Sequence, residues 1–239
     1  MRIEQPVHVG RLLRRYKRFL ADVELSEDAG EVGRKGDVIV AHCPNTGSLL
    51  GCLAEGARCV VRDSGDPQRK LRTTLQTVEV QGTWVNVDTS LPNAVVEEAV
   101  RAGRIPELRG YAGLRREVKY GANSRIDLLL EEGPLRCYVE VKSTTLAVQG
   151  EARFPDAVTE RGRKHLVELS AMVAEGHRAA ILFHVSRADV ERFAPADEID
   201  AAYGAALRAA RAAGVTVLAW AVAVTPSDLT LARPLPLAF

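Results

Sequence analysis

The sequence predicts a mixed α/β (α+β) protein with a five-stranded β-barrel over residues 1–90 and a mixed sheet flanked by helices over residues 91–239. Two observations predict this. Short apolar runs separated by turn-rich segments recur through the first ninety residues, as in small all-β domains. After Leu91-Pro92-Asn93, strand-like runs alternate with longer segments of helical periodicity, which indicates a sheet covered by helices.

The first domain is predicted from five apolar runs. The turns between them are rich in Gly, Asp and Pro, as in Ser64-Gly65-Asp66-Pro67. The number and spacing of these strands favour a barrel of the OB type, with LLGCLAEG (49–56) as a short helix that caps it. The predicted strands are 19–25, 37–41, 57–62, 74–80 and 83–88.

The second domain is predicted to begin with a helix capped by Asn93. A three-stranded meander follows, and then a helix that Thr159 caps. The alternation of strand and helix continues to the end of the chain. The predicted strands are 117–120, 125–130, 136–142, 179–185 and 215–224, and the later helices are 160–175 and 200–213.

The composition of the chain bears on the cellular compartment in which we expect the protein. No run is long enough to span a membrane, and the first residues lack the apolar core of a signal peptide, so we expect a cytoplasmic protein without a membrane partner. The four cysteines form no CxxC pair, which favours reduced, buried thiols over a zinc site. Oligomeric state stays open, with a homodimer among the alternatives.

The net charge of +1 conceals two basic segments. Residues 1–20 contain six basic side chains and one acid, and residues 101–125 contain seven basic side chains and two acids. Local clusters of this kind suit a polyanion such as DNA, with RNA as an alternative. Arginines that are merely solvated explain the pattern equally well.

The segment YVEVKS (138–143) indicates where chemistry takes place. In a strand, Glu140 and Lys142 share one face and the valines share the other. A tight turn at 131–134 sets this strand antiparallel to SRID (124–127), which brings Asp127 near Glu140. Two adjacent carboxylates suit Mg²⁺ or Mn²⁺, and Lys142 would face the same space. A solvated Glu–Lys pair on an exposed strand is the alternative.

This spacing resembles the PD-(D/E)XK nuclease superfamily, in which a helix Glu, a strand Asp and a strand ExK surround Mg²⁺. The resemblance implies catalytic roles for Asp127, Glu140 and Lys142, with Asp127 and Glu140 on the metal. Glu98 is the favoured counterpart of the helix Glu, and Glu117 is its rival. The Pro that often precedes the Asp is replaced here by Ile126.

A second resemblance covers most of the chain. RYKRFLADV (15–23), HCPNTG (42–47), EVKYG (117–121), SRID, YVEVKS and FPDAVTERGRKHLVEL (154–169) resemble the sugar fermentation stimulation protein A family. The resemblance implies an OB-like domain, a PD-(D/E)XK domain and DNA binding. The function it implies is a metal-dependent nuclease, or alternatively a non-catalytic regulator of sugar-metabolism genes. Strandedness of the substrate and endo- or exonuclease action stay open.

Three further segments are candidates for contacts to nucleic acid. The first interleaves basic and aromatic side chains at the entry to the barrel. The second is the HCPNTG turn, for which a purely structural turn is an equal alternative. The third is the basic face of the helix after Thr159, for which a solvated amphipathic helix is the alternative. Phe19 and Trp84 are expected in the core instead. The candidate contacts are Arg14, Arg15, Tyr16, Lys17, Arg18, Asn45, Thr46, Arg125, Arg161, Lys164 and His165, the last as a phosphate contact rather than a base.

Overall fold

The computed structural model describes residues 1–121 and 124–239, and its first domain is a six-stranded antiparallel sheet. The strand order is β3-β2-β1-β4-β5-β6, and β3 also pairs with β5 where His42 lies opposite Thr74. That pairing joins the two ends of a five-strand order, as an OB fold requires. The strands are β1 Val7–Tyr16, β2 Leu20–Leu25, β3 Val38–His42, β4 Arg58–Asp63, β5 Thr73–Val80 and β6 Thr83–Asn86.

The structure departs from the predictions for this domain at four points. Strand β1 was not predicted, and the segment 49–56 forms turns rather than a helix. Phe19 is 42% exposed instead of lying in the core. Trp84 is only half-buried, with the guanidinium of Arg58 at 5.3 Å from its ring.

The second domain is built on a mixed six-stranded sheet of order β15-β14-β12-β9-β8-β7. Strands β9, β12 and β14 run parallel, and the outer strands are antiparallel to their neighbours. A small sheet, β10-β11-β13, lies beside it. The elements are α1 Pro92–Arg101, β7 Gly113–Tyr120, β8 Ser124–Glu132, β9 Leu135–Thr144, β10 Ala147–Val148, β11 Glu151–Phe154, α2 Glu160–Ala174, β12 Arg178–Val185, β13 Arg192–Pro195, α3 Asp197–Ala212, β14 Thr216–Val224 and β15 Leu229–Pro234.

The two faces of this sheet bury different cores. Tyr138 of β9 packs with residues of α2 and α3 on one face, and Val139 and Val141 pack with residues of α1 on the other. Side chains alternate along a strand, so Glu140 and Lys142 lie on the α2 face. The predicted separation of these two residues from the valines is therefore what the sheet shows.

Thr159 and Asn93 were each predicted to cap a helix, and the structure confirms only Thr159. Thr159 caps α2 as predicted, because its side chain accepts a hydrogen bond of 3.0 Å from the amide of Gly162. The prediction of Asn93 as a cap is wrong: α1 begins at Pro92 after Leu91, and Asn93 lies inside the first turn. No helix of the described segments is long and apolar enough to cross a membrane.

Candidate active site at the domain junction

Asp127 lies where strands β8 and β9 separate. Their pairing runs from Glu132 opposite Leu135 to Leu128 opposite Val139 and stops one residue before Asp127. The Asp127 carboxylate accepts a 2.7 Å hydrogen bond from the amide of Val141 and a 2.9 Å hydrogen bond from the side chain of Asn93. Two elements therefore fix its orientation, and one of them is helix α1.

Glu140, Lys142 and His165 form a compact group next to Asp127. The Lys142 ammonium lies 2.7 Å from Glu140 Oε1 and 3.3 Å from His165 Nδ1. His165 Nδ1 also contacts Glu140 Oε1, and Arg161 Nε donates to His165 Nε2 at 3.4 Å. Because Nε2 accepts that bond, the proton of a neutral His165 is on Nδ1, where it is donated to Glu140.

The two carboxyl groups are shifted in opposite directions. Burial, together with the charge of Glu140, raises the pKa of Asp127 to about 6. Burial also acts to raise the pKa of Glu140, but the hydrogen bond from His165 and the charge of Lys142 hold that pKa below its usual value. Glu140 is thus an ionised group that is only 3% exposed, and its neighbour Asp127 titrates near neutrality.

The structure separates the two rivals for the helix Glu. Glu98 is not brought to this group; its carboxylate pairs at 2.9 Å with the amino group of Met1 and lines neither of the cavities that contain Asp127. Glu117 is exposed and lines one of those cavities together with Asp127. The preference for Glu98 is therefore wrong on placement, and Glu117 is the nearer acid. The helix α1 side chain that reaches Asp127 is Asn93.

Two cavities contain members of the group, and a third adjoins the first of them. The junction cavity, about 360 Å³, lies between the domains and is lined by Asp127, Glu140, Lys142 and His165 from one domain and by Thr46 from the other. The hairpin cavity, about 390 Å³, lies under the β1–β2 turn. The helix cavity, about 430 Å³, lies beside the start of α2.

Two residues predicted to contact nucleic acid hold the polypeptide backbone. Arg15 donates to the carbonyls of Arg18 at 2.8 Å, of Gly47 at 3.0 Å and of Asn45 at 2.6 Å, so little of its guanidinium is free. Asn45 is buried, donates to the carbonyl of Val87 and accepts from the amide of Gly47. Arg15 also lines the hairpin cavity and Asn45 the junction cavity, so their contacts to nucleic acid stay predictions.

The other predicted contacts also lie at the surface or in a cavity wall. Arg14 is exposed but pairs with Asp22 at 2.7 Å, with Tyr16 under its guanidinium. Tyr16, Lys17, Arg18 and Thr46 line the hairpin cavity, and Arg125, Arg161 and Lys164 line the helix cavity. His165 also lines the helix cavity, but it is only 4% exposed and bound to Glu140. Its contact to phosphate stays a prediction.

Sequence analysis missed Asn93 and His165 as members of the group for the same reason. Each was assigned a local role, as a helix cap or as part of a basic helix face, and each has its partner in a distant strand. Asn93 contacts Asp127 and His165 contacts Glu140, across 34 and 25 residues of sequence. No spacing rule within one helix detects such contacts.

A divalent cation fits the donors on this face. Glu140 Oε2 is buried and has no hydrogen-bond partner in the described structure, and the raised pKa of Asp127 reflects two carboxylates in a poorly solvated site. In residues 1–121 and 124–239 no group of three or more His, Cys, Asp and Glu side chains is arranged to hold a metal. The protein side of such a site is therefore Asp127 and Glu140, which matches the one or two carboxylates that Mg²⁺ usually takes.

Fold and site together define a class: an OB domain joined to a mixed-sheet domain whose central hairpin presents an Asp and a Glu-x-Lys. Family models describe the same two parts. The model "SfsA N-terminal OB domain" matches residues 13–87, and "Sugar fermentation stimulation protein RE domain" matches residues 90–228. The chain belongs to the sugar fermentation stimulation protein family.

Individual relatives agree with this assignment. A "Sugar fermentation stimulation protein homolog" of Thioalkalivibrio sulfidiphilus is 54% identical over 226 residues, covering 94% of this chain and 92% of the relative. A homolog of the same description from Pseudomonas aeruginosa is 52% identical over 240 residues, covering 99% of both. The solved structure of Pyrococcus furiosus SfsA in complex with Ca²⁺ is 27% identical, covers all of both chains and superposes with a TM-score of 0.87.

Proposed function

We propose that this protein is a divalent-metal-dependent nuclease of the PD-(D/E)XK type that binds DNA, or alternatively RNA, in the cytoplasm and hydrolyses phosphodiester bonds. One observation carries the proposal. Asp127, Glu140 and Lys142 face one cavity at the separated end of the β8–β9 hairpin, and a buried oxygen of Glu140 has no partner in the described structure.

Asp127 and Glu140 are the residues that would hold Mg²⁺ or Mn²⁺. The Ca²⁺ bound to the Pyrococcus furiosus structure supports a site for a hard cation in the family. When bound, such an ion supplies Lewis-acid stabilisation of phosphate oxygens and an activated water. Asn93 and the Val141 amide keep the Asp127 carboxylate oriented whether or not the ion is present.

The remaining residues supply positive charge and alignment. Lys142 lines the junction cavity, where its ammonium would contact a phosphate and stabilise the charge that develops during cleavage. His165 holds Glu140 through Nδ1, and Arg161 in turn holds the ring through Nε2. A chain of three hydrogen-bonded side chains thus fixes one of the two carboxylates.

One observation favours the alternative of a non-catalytic DNA-binding regulator. The Lys142 ammonium already pairs with Glu140 at 2.7 Å, so the two charges neutralise each other as they would in a purely structural pair. Under this alternative the basic surfaces bind DNA and the carboxylates only maintain the hairpin.

A cleavage assay separates the two functions. Labelled single- and double-stranded DNA and RNA are incubated with Mg²⁺ or Mn²⁺ and with wild type, Asp127→Asn, Lys142→Met or Glu98→Gln. We expect wild type and Glu98→Gln to cleave alike, because Glu98 lies outside the group, and the other two to lose on the order of 100-fold in rate. Equal rates in all four proteins would contradict the assignment of residues. Binding without cleavage by wild type under every condition would favour the regulator.

A further inference from the structure

The three cavities are adjacent to one another and together extend over both domains, and this series is called the groove below. The hairpin cavity and the junction cavity share Thr46, Gly47 and Ala157 in their walls. The junction cavity and the helix cavity share Asp127, Arg161 and His165. A path therefore runs from the β1–β2 turn, past the carboxylates, to the start of α2.

Exposed basic side chains flank this groove at both ends, Asp127 and Glu140 lie in its middle, and Glu117 is an exposed acid among the basic side chains of the helix cavity. Lys17 and Arg18 line one end, and Arg125 and Arg161 line the other. In contrast to Arg14, these four take part in none of the salt bridges found in the described part of the chain. Such a distribution suits a phosphate backbone that is held on both sides of the carboxylate group.

The tip of the β1–β2 turn is held in place rather than free. Lys17 and Arg18 both have positive φ, 47° and 66°, a conformation that is uncommon for non-glycine residues. Arg15 fixes it by bonding the carbonyl of Arg18 and, with the same guanidinium, the carbonyls of Asn45 and Gly47. The two basic side chains are therefore presented at a defined position relative to the groove.

The loop that carries Gly47, Ser48 and Leu49 is hydrogen-bonded to the second domain. The Asp156 carboxylate accepts a hydrogen bond of 2.8 Å from the amide of Leu49, and the Asp156 carbonyl accepts one of 2.5 Å from Ser48 Oγ. The approach is so close that a Cβ on Gly47 would lie 2.6 Å from Asp156 Oδ1. The groove thus exists before any ligand binds, which reduces the ordering cost of binding.

We propose that the groove binds a single nucleic-acid strand, which contacts the OB domain and the carboxylate group at the same time. The inference deepens the proposed function, on which it rests, by naming the substrate as single-stranded. The carboxylates line a recess of about 360 Å³, in the lower range of small-molecule sites, a size that suits a single unstacked nucleotide better than a duplex. Tyr16 in the hairpin cavity and Val158, 68% exposed in the junction cavity, offer apolar surface for bases.

The test measures binding in EDTA, so that cleavage plays no part in it. Fluorescence anisotropy compares a labelled DNA or RNA strand of about 12 nucleotides with the same sequence as a blunt duplex. Ala157→Trp places an indole where two cavities meet, at an exposed position that tolerates bulk. Val167→Trp is the matched control, since Val167 is 68% exposed on α2 and lines none of the three cavities.

A second pair of variants probes the charged end without filling the groove. Lys17→Ala with Arg18→Ala removes two groove cations, and Arg69→Ala with Lys70→Ala removes two adjacent exposed cations of the same domain that line none of the three cavities. Each cation that neutralises a phosphate of a single strand adds about 0.7 to the slope of log K against log salt. We therefore expect the loss of two cations in the first pair to flatten that slope by about 1.4. The control pair should leave it unchanged.

The outcomes distinguish this inference from the proposed function. Tighter binding of either single strand than of duplex, together with a loss of about tenfold in Ala157→Trp but not in Val167→Trp, supports the groove even if the protein never cleaves. Duplex binding as tight as single-strand binding, or wild-type affinity in Ala157→Trp, would overturn the inference even if cleavage is observed.

Discussion

Replacing Asp127 by asparagine should stabilise the metal-free protein at alkaline pH. The Asp127 carboxyl group is desolvated and faces the charge of Glu140, and its pKa is raised from 3.8 to about 6. A group whose pKa is higher in the folded state contributes stability below its unfolded pKa and loses that contribution as the pH rises through the folded pKa. The stability contribution of Asp127 is therefore lost progressively between about pH 4 and pH 6, and the full cost of the ionised carboxylate is present above that range.

The magnitude follows from the shift. Two pKa units correspond to about 3 kcal/mol, so Asp127→Asn should gain up to about 3 kcal/mol over wild type at pH 8. The gain should fall to about half near pH 5 and nearly vanish at pH 4. Asparagine can accept from the Val141 amide and donate to a reoriented Asn93 side chain, so the two present hydrogen bonds have replacements.

The assay is thermal unfolding in EDTA across this pH range. For a chain of this length about 3 kcal/mol corresponds to a rise of roughly 6 to 12 °C in Tm at pH 8. Glu98→Gln is the control, because that acid is half-exposed and paired with the Met1 amine outside the group. In a second series without EDTA, Ca²⁺ at about 100 times its Kd should stabilise wild type by about 2.7 kcal/mol and leave Asp127→Asn unchanged.

Two results would refute this reasoning. If Asp127→Asn is no more stable than wild type at pH 8 without metal, the carboxylate is not under electrostatic strain. If the gain is the same at pH 5 and at pH 8, the variant acts through packing and not through the charge of Asp127.

Three further expectations concern single contacts. Lys142→Met should leave single-strand affinity in EDTA within about twofold while cleavage falls by on the order of 100-fold, which anisotropy and a cleavage time course measure separately. Gly47→Ala should lower the free energy of unfolding by about 1 to 3 kcal/mol in urea denaturation, because its Cβ would meet the Asp156 carboxylate. Much of that cost should disappear when Asp156→Ala is the background, and full persistence there would exclude the clash as its cause. Thr159→Ala should cost about 1 kcal/mol in the same measurement through loss of the α2 cap, and an unchanged midpoint would show that the cap adds nothing.

The part of the site that lies on strands could be predicted from the sequence because strand geometry is regular. Alternation along β9 fixed the shared face of Glu140 and Lys142, and the short turn before it set β8 antiparallel to β9. The contribution of helix α1 could not be predicted in this way. Val95 and Val96 face the sheet as expected, but Glu98 then meets the amino terminus, whose position only the tertiary fold determines.

Strand β1 shows why part of the first domain was not predicted. Only Gly10 and Leu12 of its ten residues are buried, so the apolar signal of a strand is nearly absent. Gly10 is required by packing, since a Cβ there would lie 2.5 Å from Val23 Cγ1 on the neighbouring strand. The arginines of this strand were interpreted as part of a basic segment at the entry to the barrel. The segment is in fact the central strand of the order β2-β1-β4.

The junction shows why residue type alone did not reveal the structural role of Arg15 and Asn45. Arginine and asparagine in turns suit phosphate and base contacts, but the same donors also satisfy backbone carbonyls where two loops meet away from water. Arg15 and Asn45 perform that second task, and Asp156 extends it to the other domain. Because these polar groups hold the backbone, the neighbouring Lys17 and Thr46 are left facing the groove. The residues that position the binding surface and those that contact the ligand are adjacent in sequence, and only the hydrogen bonds tell them apart.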